Sequence, residues 1–130
     1  MSTSAIDRPA LPTAFATLVI SAFVAIFGAV YECFSHGVWS GYMVYAFMIP
    51  LLLDAVPFTL LALRCRPMPG RWVLNFHHAG VATLTVGSIF EGVLVIYGTT
   101  HPMTMVYWIV GPVLLLLGLL THLLRRRDAE

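Results

Sequence analysis

The chain has 130 residues, of which 59% are hydrophobic and only 10% are charged. A water-soluble domain carries about 25% charged residues, so this composition excludes an ordinary soluble globular surface and places the chain in a bilayer. The net charge is +1, every basic residue is an arginine, and so apolar a chain gives no support to nucleic-acid binding.

A membrane-crossing helix needs about 20 predominantly apolar residues, and four segments qualify. The first expected span is Thr13–Tyr31, preceded by Pro9 and Pro12, with Thr13 as a cap. Its apolar run exceeds the ~7–15 residues of a signal-peptide core and no A-x-A-like site follows, so it is read as retained. The second is Gly41–Leu63. Pro50 and Pro57 each remove a backbone donor there and should bend the helix, the freed carbonyls being satisfied by neighbouring helices. The third is Trp72–Tyr97, and the fourth is Met103–Leu124, with a kink expected at Gly111-Pro112.

The arginines orient these spans. Arg8 precedes the first, Arg64, Arg66 and Arg71 lie between the second and third, and Arg125, Arg126 and Arg127 follow the fourth. The loops around His36 and His101 have no Arg or Lys. All basic residues thus fall on one side, which the positive-inside rule makes cytoplasmic. The expected fold is all-α: a single antiparallel up-down four-helix membrane bundle with N and C termini in the cytoplasm. Cys33 and Cys65 then sit on opposite faces, too far apart for a disulfide.

Ionisable residues inside spans are costly and face the interior or a hydrated cavity. In the third span, at ~100° per residue, His77, His78, Thr85, Ser88 and Glu91 share one broad face with Gly80, Gly87 and Gly92, opposite Val86, Phe90 and Val93. Small residues there admit a close helix neighbour. Depth divides the polar groups, since Glu91 lies about 21 Å along the helix from His77 at ~1.5 Å per residue. An outer set comprises Glu32, His36, Glu91 and His101, with Glu32 and His36 one helical turn apart. Carboxylate and imidazole ligands of this kind suit a divalent metal. An inner set comprises His77, His78 and His122. Pairing His78 with His122 and His36 with His101 would give axial ligands for haem b, and a haem- or metal-binding membrane redox or binding subunit is the leading expectation. Asp54, nearest the bilayer midplane and flanked by the two prolines, suggests a different chemistry: a proton or cation route through Asp54, Glu91 and Glu32, in a broken helix of the kind transporters use. A third reading makes the polar residues packing elements of a homo-oligomer or of a larger membrane complex.

No nucleophile elbow, phosphate-cradling glycine loop, C-x-x-C or H-E-x-x-H occurs, which argues against an enzyme. The phrases "YECFSHGVWSGYMVYAFMIPL" and "HHAGVATLTVGSIFEGVLVIYGTT" resemble those of small four-span bacterial membrane proteins. The resemblance runs from Tyr31 to Thr100 and implies a bacterial cytoplasmic-membrane location and the four-span fold. It implies no activity, so no site residue is carried over from it.

Overall fold

A computed structural model describes residues 10–64 and 68–129, so Arg8, Cys65 and Arg66 lie outside the described residues. Long apolar runs without water must satisfy their backbone internally, and helices do so within a segment. The described chain is accordingly helical, with α1 at Ala10–Cys33, α2 at Gly41–Val44, α3 at Met48–Leu63, α4 at Arg71–Tyr97 and α5 at Thr104–Ala129. Three of them, α1, α4 and α5, are long and apolar enough to cross a membrane.

The segment expected as the second span is the irregular one. It is divided into α2, a turn at Tyr45–Phe47, and α3, whose residues Leu51–Ala55 form a π-helical turn. The prolines explain the division. Pro50 offers no amide to Ala46, whose carbonyl instead accepts from Ile49 N at 3.2 Å. Pro57 offers none to Leu53, four residues earlier. The π-turn takes up the misfit between the two prolines, and such single turns recur at functional positions.

Helix ends follow local signals. Gly98, at φ 78°, closes α4 with paired bonds from Gly98 N to Val95 O and from Thr99 N to Leu94 O, the pattern a left-handed glycine cap permits. Thr104 Oγ1 donates to His101 O at 2.9 Å as α5 begins. That helix continues through Arg125–Arg127 instead of ending at Leu124.

Packing runs as a chain of neighbours. The α2–α3 segment packs between α1 and α4, while α5 packs along α4 and makes no comparable contact with the other helices. Glycines set the closest approaches. A Cβ on Gly111 would meet Leu84 Cγ at 2.6 Å, and one on Gly80 would meet Gly111 O at 2.9 Å. Gly87 lies against Tyr107 and Gly118 against Phe76, so α4 and α5 are antiparallel with their backbones close along the whole seam. Met43, fully buried, is held between Gly28 of α1 and Gly92 of α4, since a Cβ on either would come within 2.9 Å of it.

Alongside α4, the α2–α3 segment runs from Met43 beside Gly92, through Ser88 Oγ donating to Tyr42 O at 2.7 Å, to Leu53 beside His77. The Arg125 guanidinium lies against Gly70, which gathers the arginines flanking α4 and α5 at one end of the molecule.

Candidate functional site

The π-turn carries Asp54 inward, and α4 meets it with two consecutive histidines. Asp54 is 6% exposed. His77 Nε2 lies 2.9 Å from its Oδ1, and His78 Nδ1 lies 3.2 Å from its Oδ2. His77 Nε2–H donates to Leu53 O at 2.7 Å, so the carbonyl that Pro57 leaves without its α-helical donor receives one from α4. Asp54 Oδ1 is then close to His77 but has no aligned donor. Phe58, one turn after Asp54, stacks on His78 at 5.3 Å between centroids and meets His77 edge-on at 6.0 Å. It fixes both ring planes.

The cluster stands between two cavities. The larger, about 640 Å³, lies between α1 and α4 and is lined by Asp54 and His78 together with Thr17, Val24, Val81 and Thr85. The smaller, about 190 Å³, is lined by His77, Phe58, Val73, Leu115 and His122. At about 30 Å³ per molecule, the smaller has room for several waters. Asp54, contacted by one histidine facing each cavity, is the only carboxylate among the described residues on the lining of either.

Of the inner set, His77 and His78 lie side by side and His122 shares the smaller cavity's lining with His77, with an addition that spacing alone did not reveal: Asp54 belongs with His77 and His78. It does not meet Glu91, which lies about 20 Å further along α4 at ~1.5 Å per residue. The route Asp54–Glu91–Glu32 is not formed by direct contacts. Glu32 instead accepts from Ser40 N at 3.0 Å, while Ser35 Oγ donates to Glu32 O at 2.7 Å. These bonds shape the turn between α1 and α2. His36 is exposed on that turn at φ 56°, and α1 has ended at Cys33, so Glu32 and His36 are not one turn apart on a continuous helix. His101 is exposed, its Nδ1 accepting from Met103 N at 3.2 Å. Glu91 keeps one buried oxygen without a partner. Among the described residues, no three His, Cys, Asp or Glu side chains are grouped to hold a metal ion, so neither histidine set presents the geometry of a metal centre.

One signal in the sequence points to this meeting. A proline in a span orphans the carbonyl four residues before it, and two histidines on the next helix are natural donors.

These features define a class: an all-α protein with bilayer-length apolar helices and a buried carboxylate–imidazole cluster at a broken helix. No family model, curated protein or solved structure matches the chain, so function rests on this geometry.

Proposed function

We propose that the chain is a multi-pass protein of a bacterial cytoplasmic membrane that moves protons, as a proton-coupled transport component, through His77, Asp54 and His78. The observation that carries this reading is the buried carboxylate held between two imidazoles, each lining a different cavity. Ionisable groups at such depth mark ion and proton pathways.

One proton crosses in three moves, and a fourth resets the rings. His77 takes a proton at Nδ1 from the smaller cavity, turns its Nε2–H from Leu53 O to Asp54 Oδ1, 2.9 Å away, and gives up that proton. The carboxyl group rotates about Cβ–Cγ. The proton passes to His78 Nδ1, 3.2 Å from Oδ2, as His78 releases the one on Nε2 to the larger cavity; both rings are then Nδ1–H tautomers, and each turns to present its starting tautomer to Asp54 before the next proton. The reverse order carries protons the other way. His122, on the smaller cavity, links this path to the arginine-flanked end of α5.

The same reading makes the α2–α3 segment a fourth crossing. It runs beside α4 from Gly92 to the level of Val73, about 28 Å at ~1.5 Å per residue, close to the ~30 Å hydrocarbon thickness. Both termini are then cytoplasmic, with the arginines on that side.

Proton uptake by proteoliposomes, followed with an entrapped pH dye under an imposed potential, tests the proposal. Asp54→Asn should lower the protein-dependent rate by about a hundredfold, in the range found when a positioned proton-transfer group is lost. An unchanged rate would remove the relay.

A further inference from the structure

The larger cavity has a one-sided chemistry. Its Thr17 hydroxyl is tied back to its own helix, donating to Ala14 O at 2.9 Å and reaching Thr13 O at 3.0 Å. Thr85 Oγ1 likewise donates to Val81 O at 2.8 Å. Both therefore turn lone pairs, not hydrogens, to any occupant. Asp54 adds a carboxylate, more than nine-tenths buried, whose Oδ2 lies 3.2 Å from Nδ1 of His78 on the same lining. Among the described residues, no arginine or lysine lines the space. The remaining lining is apolar, and Ile20 and Val86 at its edge are both about half exposed, which opens it sideways onto the hydrocarbon phase. At about 640 Å³ it falls within the ~300–1,000 Å³ of small-molecule sites.

We infer that this cavity binds a lipophilic organic monocation, with its charge against Asp54 and its apolar body between α1 and α4. The inference rests on the relay reading and names the substrate class of the same site. A buried carboxylate needs a compensating positive charge. A proton held within the cluster supplies it when the cavity is empty, and a bound cation supplies it when the cavity is full, so the two compete. The titratable groups facing Asp54 are His77 and His78 from α4, with His122 across the smaller cavity; α1 contributes none to the lining. Cation binding should therefore expel protons, and affinity should rise from acidic to mildly alkaline pH. That exchange is the coupling step of a proton antiporter.

Equilibrium dialysis of the detergent-solubilised full chain with tetraphenylphosphonium tests this, with tetraphenylborate as the anion of like shape. The expected result is saturable binding of the cation alone, with proton release into weakly buffered medium. Asp54→Asn should weaken it by about thirtyfold or more, as loss of one partner of a buried charge pair does. Ala82→Trp, which narrows the cavity onto which His78 opens, should weaken cation binding and lower proton flux together. Equal binding by Asp54→Asn and the unmodified chain, equal binding of the borate, or no saturable binding overturns the assignment. Failure of cation binding alongside a flux that Asp54→Asn still abolishes would remove the ligand and leave the relay. Flux unaffected by Asp54→Asn would remove the relay itself.

Discussion

His77 has two tasks at one nitrogen. Its Nε2–H satisfies Leu53 O at 2.7 Å and stands 2.9 Å from Asp54 Oδ1. Replacing it should therefore disturb the fold as well as the relay. An unsatisfied buried carbonyl costs about 1–3 kcal/mol, so His77→Ala should lower stability to denaturant in detergent by that much. His78→Ala should cost less, because the longer 3.2 Å contact to Asp54 Oδ2 is its only hydrogen bond among the described residues and its side chain is 38% exposed. Equal losses would mean that the Leu53 bond contributes nothing. Part of this was legible in the sequence: Asp54 between two prolines, and paired histidines on the small-residue face of the next helix. Their meeting was not, because a contact across 24 positions depends on how α3 and α4 slide past each other. No periodicity within one helix reports that register.

At the scale of elements, α4 is where sequence and structure agree most closely. The face carrying Gly80, Thr85, Gly87, Ser88 and Gly92 is buried, and Val86 and Phe90 on the other side are exposed. Such a face is legible because helical periodicity fixes it before any partner is known. The partner itself fixes how each glycine responds to added bulk. Gly111 is opposed by the Leu84 side chain, whereas Gly92 is opposed by Met43 N at 2.9 Å and Met43 Cα at 3.0 Å. Overpacking costs about 1–3 kcal/mol. Gly111→Ala should destabilise by that amount and recover substantially when combined with Leu84→Ala. Gly92→Ala should destabilise without recovering in combination with Met43→Ala, since backbone atoms remain in the way. Thermal unfolding of the four variants in detergent checks both statements. The outer histidine–carboxylate set was the least legible element. Glu32 and His36 are close in sequence, but α1 ends between them and Glu32 turns to the Ser40 amide.

For the whole molecule, charge placement and the path of α2–α3 make one joint prediction about topology. With Cys33 and Cys65 first replaced, single cysteines at His36 and His101 should react with an impermeant maleimide from outside intact cells. Cysteines at Arg64 and Arg127 should react only after permeabilisation. If His36 and His101 label from opposite sides, the α2–α3 segment does not cross. The apolar surface of α5, where Leu116, Leu119, Leu120 and Leu124 are all more than half exposed, faces hydrocarbon in this arrangement. Hydropathy made the long helices readable. It gave no sign that α5 would pack chiefly on α4, because lipid and a second helix are equally apolar neighbours.

The proposed relay requires one proton to pass among His77, Asp54 and His78 as a single cluster. Infrared difference spectroscopy of the reconstituted protein across a pH step reads it directly. One carboxyl band absent from Asp54→Asn should be displaced in both His77→Ala and His78→Ala, together with imidazole bands that move in the same step. A carboxyl band unmoved by either histidine substitution would contradict the account.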